Sequence, residues 1–425
     1  MYILTLPFHC FLQALRFVNF KKSKGNYFVD TDGNVVLDFA NPIALGYNHD
    51  QLINARDSDL YDRFLQGKVD TSVVPPSDYA DILRDNIMPV APTGHSQVHL
   101  SDGSITSANE SALATALTHY AIQHKREYSS LSVLGFENGT HGQSVATLSA
   151  SDPSANHLNV PTYDWPVAPL PNLVYPLAKN ETENRAEEDR CLEATRQLIN
   201  DRKADSKDVA AIIIEPFTAL NGRQATPRYY KKLRALAKDN GIPFIVDETR
   251  TGVGASGKMW AHEHWYLSEP ADLVTFGGRA GISGFYSTLA FRQNSHCTSF
   301  EQNVDFVKLL GFGVTWKTIQ NKNLLDLVQD SSSFLKIELG NIERDLPGTI
   351  TNIRGNGTNL AFDAYSPRHA DSIQSWLFKS GINVQKAGDV TLALRPSLVL
   401  RPKHAANLRD SLSAFSPQHD VDHLH

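Results

Sequence analysis

The chain has 425 residues, 41% of them apolar and 20% charged, enough for two or three domains of about 150 residues with buried cores, which excludes a peptide-sized scaffold and the disordered, collagenous and low-complexity classes. Its 40 Lys and Arg against 46 Asp and Glu give a net charge of −6, so no global positive field draws nucleic acid or anionic lipid. Three widely spaced cysteines, Cys10, Cys191 and Cys297, form no CxxC pair, which argues against a disulfide framework or a structural zinc site and implies a reducing compartment.

The first 29 residues lack Asp and Glu but carry Arg16, Lys21, Lys22 and Lys24 among Leu, Phe and Val. That pattern has a weak likeness to a mitochondrial presequence; a docked arm over 1–25 is the other reading. No run of 18 apolar residues is present, so no spanning helix is expected. Membrane contact would come only through partners or this arm. Asn109, Asn138, Asn180 and Asn356 open Asn-x-Ser/Thr sequons, which without a secretory signal read as chance.

A capping box, Ser107-x-x-Glu110, predicts a helix start at Ser107, with Ala112, Leu113, Ala116, Leu117, Tyr120 and Ala121 as its apolar face. The turn ahead of it, Asp102-Gly103-Ser104, would offer backbone amides and a positive dipole end to an anion such as phosphate; an ordinary capped helix is the plainer reading. The apolar run 131–136 reads as a buried strand, as do 209–214, 242–246 and 273–276. Between the second and third, 229–241 is an amphipathic helix burying Leu233, Leu236 and Ala237 and stopping at Gly241. This alternation predicts an α/β fold with a mainly parallel sheet covered on both faces. Ligands on such sheets sit beyond the strand C-termini. Glu215 and Asp247 are each the first acid after a buried strand, and two at one sheet edge point to a site.

The run 252–257, GVGASG, satisfies GxGxxG, and Asp272 lies 20 residues past its first Gly. The stretch to the next strand is too short and irregular for a dinucleotide motif. His262 and His264 lack a third ligand at useful spacing, so no metal is expected. Beyond about residue 300 come a long helix at 321–343, a strand at 358–364, a helix at 368–380, a strand at 389–394 and a closing helix, which read as a smaller α+β domain.

The stretches at 91–104, 140–144, 161–177, 212–216, 246–265, 270–278 and 394–400 are ordered as in one known family. From about 26 to 415 the chain resembles the 4-aminobutyrate aminotransferases, class III enzymes dependent on pyridoxal phosphate. The resemblance implies a fold-type I aminotransferase, with a large α/β domain and a small domain built from both chain ends. The expected division is an N-terminal arm and small-domain segment at 1–75, a large cofactor-type domain at 76–300 and a C-terminal small domain at 301–425.

In that family a Lys after the strand reading LVTF forms the Schiff base with the cofactor; here Arg279 falls on it, and no Lys occurs between Lys258 and Lys308. A guanidinium is neither a nucleophilic amine nor a proton acceptor at accessible pH. Losing the proton shuttle alone is worth on the order of 10²–10⁴ in rate. Other departures follow the same resemblance. Thr140 replaces the ring-stacking aromatic before His141-Gly142, Gln143 the substrate-binding Arg, and Arg250 a Gln beside the cofactor. The phosphate loop from Gly103 and Ser104, GSITSANE, is two residues longer than the family's. Asp102 and Ile105 stand where animal enzymes carry cluster-binding cysteines. Asp247 would face the pyridine nitrogen, and Glu215 with Arg395 would form a carboxylate–guanidinium gate.

The expectation is that Arg279 and Arg250 fill the cofactor cavity and ion-pair with Asp247, with no cofactor bound. The function expected is a catalytically inactive aminotransferase-like subunit, homodimeric or heterodimeric, in a mitochondrial, matrix-side assembly. Nucleic acid is not an expected partner. The alternative is a residual enzyme that binds pyridoxal phosphate and acts only with a competent partner chain, to which Thr298 and Ser299 would offer a phosphate hydroxyl.

Overall fold

The computed structural model describes residues 17–55, 62, 75–101, 103–157, 159–292 and 305–415. Cys10, Arg16, Asp102, Cys297, Thr298 and Ser299 lie outside the described residues, as does most of the expected arm.

The chain opens with β1 (Tyr27–Val29), β2 (Val35–Asp38), α1 (Asp50–Asn54) and α2 (Tyr79–Asn86). There follow β3 (Gln97–Leu100), α3 (Ile105–His124), β4 (Leu131–Phe136), α4 (Val145–Ser149), β5 (Val167–Ala168) and α5 (Glu181–Ala204). Next come β6 (Asp208–Ile214), α6 (Pro227–Asp239), β7 (Phe244–Asp247), β8 (Leu273–Phe276) and β9 (Gly284–Ser287). The remainder is α7 (Phe306–Asn321), α8 (Leu324–Asp345), β10 (Thr351–Asn356), β11 (Asn359–Asp363) and α9 (Pro367–Lys379). It closes with β12 (Ile382–Asn383), β13 (Gln385–Ala387), β14 (Thr391–Leu394) and α10 (Pro402–Ser413).

The central sheet has the order β3-β9-β8-β7-β6-β4-β5. The strands from β5 to β8 are parallel, and β9 runs against both β8 and β3. Every residue of β4, β6, β7 and β8 is buried, which is why they read as unbroken apolar runs. Side chains alternate across the sheet: Ala211 and Ile213 join Ala112, Leu113 and Ala116 of α3, while Ile212 and Ile214 join Tyr229 and Leu233 of α6. Each such Ile or Leu contributes about 1.5–3 kcal/mol on burial.

The helix expected to begin at Ser107 begins two residues earlier, with Ser104 as its N-cap accepting from Ser107 N at 3.0 Å. The Ser107 hydroxyl is turned instead to Ser104 O and Ser101 Oγ. Glu110 does not close a capping box; it accepts from the Ser144 hydroxyl across the loop. Helix α7 has no counterpart in the sequence reading, because it is apolar on nearly all sides and so lacks an amphipathic stripe. Its Phe306, Leu309, Phe312 and Ile319 pack into the large core.

A second core combines Leu37 and Phe39 with Leu335, Leu339, Phe362, Ile373, Leu377, Leu392 and Leu408, so both chain ends build the smaller α+β unit. Parallel pairing of β12 with β2, Ile382 opposite Leu37, fastens the two ends together. The run GVGASG opens no helix. It is a turn on which the β10–β11 hairpin sits, with Thr358 N donating to Ala255 O at 2.6 Å. Asp272 is bound by Arg234 and Phe244 N. His262 pairs with Glu248 through Nδ1 at 2.8 Å, and no metal-holding cluster occurs among the described residues.

Candidate active site

The parallel strands converge on one edge, where β6 delivers Glu215, β7 ends in Asp247, and the turn after β8 carries Arg279. Asp247 is fully buried. Its Oδ2 accepts from Asn109 Nδ2 at 2.8 Å and from His141 Nδ1 at 2.7 Å. Its Oδ1 accepts from Thr249 N at 3.0 Å, Thr249 Oγ1 at 2.5 Å and Thr275 Oγ1 at 3.3 Å. Burial pushes this carboxyl up, but the donors and charges around it, His141 foremost, more than offset that and hold it below the usual Asp value. With Asp247 ionised, His141 Nδ1 carries the proton, which leaves Nε2 buried and without a partner.

Glu215 is equally buried. Its Oε2 accepts from Thr140 N at 3.0 Å and Ala219 N at 3.3 Å, and its Oε1 faces Arg250 Nη1 at 3.3 Å. Burial raises its pKa, and the Arg250 charge only partly opposes this. Gly139 lies between Glu215 and His141: a Cβ there would stand 3.5 Å from His141 Nε2 and 3.7 Å from Glu215 Oε2.

Neither arginine reaches Asp247, contrary to expectation. Arg250 donates to Thr140 O at 2.7 Å and pairs with Glu215. Arg279 points away from the sheet edge, donating to Pro396 O and to Thr358 Oγ1, each at 3.1 Å. The reason is competition: four side chains, those of Asn109, His141, Thr249 and Thr275, and a backbone amide already satisfy Asp247, so a guanidinium there would displace satisfied donors for no net gain. The expected gate is also rearranged. Glu215 takes Arg250, and Arg395 donates through Nη2 to Ala219 O at 3.0 Å. Arg279 is buried beside the charge of Arg395, and desolvation together with that repulsion lowers its pKa to about 9.

Thr140 and His141 line the buried side, and Gln143 lies on the exposed rim, where its backbone N donates to Thr106 Oγ1 at 3.1 Å. Gly103 keeps a left-handed φ of 100°, and a Cβ there would meet the Lys308 amine at 2.5 Å. Sequence reasoning missed Asn109, seen only as a sequon, although it lies in the SANE stretch matched to the family's Asn-Glu pair. It also missed Thr249, for which no sequence signal existed, and it named Ile105 only as standing in place of a cysteine, not as packing against the Gly277 turn.

The residues present do not fit pyridoxal phosphate bound as the resembled family binds it. No amine stands at position 279. The lone pairs of Asp247 that would take a pyridine N–H are filled by protein donors. The first turn of α3 sets Ile105 against the turn after β8. A Cβ on Gly277 would lie 3.4 Å from Ile105 Cγ1 and 3.6 Å from Thr249 Cβ, and one on Gly142 only 2.8 Å from Thr106 Oγ1.

Comparison with known proteins agrees with this architecture. The family model for aminotransferase class-III matches residues 13–415. 4-Aminobutyrate aminotransferase of Dictyostelium discoideum is 38% identical over 414 residues, covering 91% of this chain and 82% of that protein. The mitochondrial 4-aminobutyrate aminotransferase of Homo sapiens is 33% identical over 418 residues, covering 92% and 82%. The solved lysine aminotransferase from M. tuberculosis superposes with a TM-score of 0.85 at 21% identity over 96% of each chain, a likeness of fold alone. Fold, motif order and relatives above 30% identity along nearly the whole length therefore agree: this chain belongs to the class-III aminotransferases, a family of pyridoxal-phosphate enzymes.

Proposed function

We propose that this member of the family does not transfer amino groups and serves instead as a structural or interaction subunit, a dimer within a mitochondrial assembly. The observation that carries the reading is Arg279, a guanidinium at the Schiff-base position, turned toward Pro396 O and Thr358 Oγ1. Even with its pKa lowered to about 9, it stays protonated at neutral pH and offers no nucleophile. The saturated Asp247 and the position of Ile105 support the same reading. Mitochondrial relatives support the compartment, and the dimeric habit of related aminotransferases supports the oligomer. The decisive experiment incubates the purified chain with pyridoxal phosphate and an amino donor, then reduces it with borohydride and maps the peptides. No lysyl adduct in the pocket and no keto-acid amination are expected; either one overturns the proposal.

A second reading is favoured by what the pocket keeps. The buried Asp247–His141 pair and the glycine turn at Gly103 remain, as a cofactor-binding chain that relies on a competent partner would require. Co-expression with a family member that has the lysine separates the two: amino transfer by a mixed dimer above that of the partner alone supports this second reading.

A further inference from the structure

A cavity of about 520 Å³ opens between the larger and the smaller unit, and its lining includes none of Glu215, Asp247, Arg279 or Arg395. Leu177, Phe217 and Trp265 of the larger unit and Ile353 of β10 give it an apolar wall. Facing them is α8, which presents Lys336, Gly340 and Glu343, spaced i, i+4 and i+7 along one side of the helix. Gly340 keeps that side open: a Cβ there would meet nothing within 4 Å beyond its own helix, although glycine inside a helix is destabilising. Clefts of this size, mostly apolar with a few polar groups, suit small organic ligands. The charges around it are unevenly matched. Arg354 is committed to Asp363 Oδ1 at 2.8 Å, Thr391 Oγ1 at 3.1 Å and Asn221 O at 2.6 Å. Lys336 has only a neutral acceptor, Asn356 Oδ1 at 2.6 Å, and among the described residues no carboxylate lies within ion-pair distance of it. Desolvation lowers the pKa of this ammonium with no opposing charge, and a carboxylate beside it would hold the proton in place. Glu343 accepts from Asn352 N at 3.1 Å. It stands two helical turns from Lys336, about 10 Å along the axis.

We propose that this cavity binds a small organic monocarboxylate with an apolar body, its carboxylate on the Lys336 ammonium and its body against Phe217, Trp265 and Ile353. Glu343 sets the charge of the ligand, because a second carboxylate reaching its end of the cavity would meet a like charge. Bound there, the ligand would touch both units at once and stabilise their junction. The inference goes beyond the non-catalytic reading and does not depend on it, since none of these residues belongs to the sheet edge.

The test titrates the full chain with 4-phenylbutyrate at constant ionic strength and follows thermal unfolding and the heat of binding. A saturable rise in Tm at millimolar ligand is expected. Three comparison compounds should each bind at least about tenfold more weakly: 4-phenylbutylamine, which reverses the charge, butyrate, which lacks the ring, and 3-phenylglutarate, which adds a second carboxylate. Lys336→Met keeps an unbranched stem without the charge, so its affinity for 4-phenylbutyrate should fall at least about tenfold. Gly340→Leu fills the cavity from the helix while favouring helical backbone, so the variant should fold and lose binding altogether. The proposal is wrong if 4-phenylbutyrate gives no saturable shift, if any of the three comparison compounds matches it, or if either variant binds as wild type. Should Lys336→Met fail to fold, Gly340→Leu and the wild-type comparison of acid with amine decide the matter. Amino transfer is not measured in these assays, so their failure leaves the non-catalytic reading standing.

Discussion

Arg279 donates to Thr358 Oγ1 at 3.1 Å across 79 residues of sequence, so this buried guanidinium ties the turn after β8 to the β10–β11 hairpin. Its second donation, to Pro396 O, reaches the segment after β14. The side chain joins the larger unit to the smaller one instead of serving the sheet edge.

Arg279→Leu should be neutral or stabilising, by up to about 2 kcal/mol, because a buried charge with incomplete compensation is exchanged for apolar packing. Urea unfolding checks this. A loss above about 2 kcal/mol would mean that the two hydrogen bonds compensate the charge fully.

Restoring the amine should not by itself restore chemistry. Arg279→Lys is expected to give no reducible adduct with pyridoxal phosphate, because Ile105 still lies against the Gly277 turn. Removing residues 105 and 106 in the same chain, which returns the loop to the family's length, should allow the adduct to form. Peptide mapping after borohydride reduction distinguishes the two variants.

The strands were legible in the sequence where burial is two-sided. The run LVTF is β8 and LSVLGF is β4, residue for residue, because a strand covered on both faces needs no alternation. Glu215 and Asp247 stood out for the same reason, as acids that end such strands. Their partners did not. Asp247 is satisfied by residues 138 and 106 positions away, and nothing local in the sequence records that Asn109 comes back across the sheet edge. The expected arginine pairing failed for this reason: opposite charges were matched without knowledge of the neutral donors that arrive first. The helix start was misplaced because Ser104 and Ser107 both suit an N-cap, and only the hydroxyl contact with Ser101 decides between them.

Asp247→Asn should cost about 3–5 kcal/mol, since an amide cannot accept from all the donors converging on it. The pH dependence has a definite sign. The native pKa lies below the ordinary value, so as acid is added the unfolded chain takes up the proton first. The stabilisation is therefore present above about pH 4 and is lost as the pH falls through the native pKa. Denaturation midpoints of wild type should drop more steeply on this acid limb than those of the variant.

Glu215→Gln should give the opposite signature. The native pKa of Glu215 is raised, so above about pH 4.3 the folded chain holds the proton that the unfolded chain releases, and stability falls as pH rises toward the native pKa. Gln keeps acceptors for Thr140 N and Ala219 N, so the variant should fold and lose this decline. Stability measured from pH 4 to 7 shows whether the slope disappears.

The seat of the β10–β11 hairpin is main chain against main chain. A Cβ on Gly357 would fall 2.1 Å from Ala255 O, and Thr358 N closes on that same oxygen. A joint of this kind is indifferent to most of what mutation exchanges. Neighbouring side chains can drift while the frame around them keeps its shape, so the architecture can be inherited independently of what the pocket beside it does.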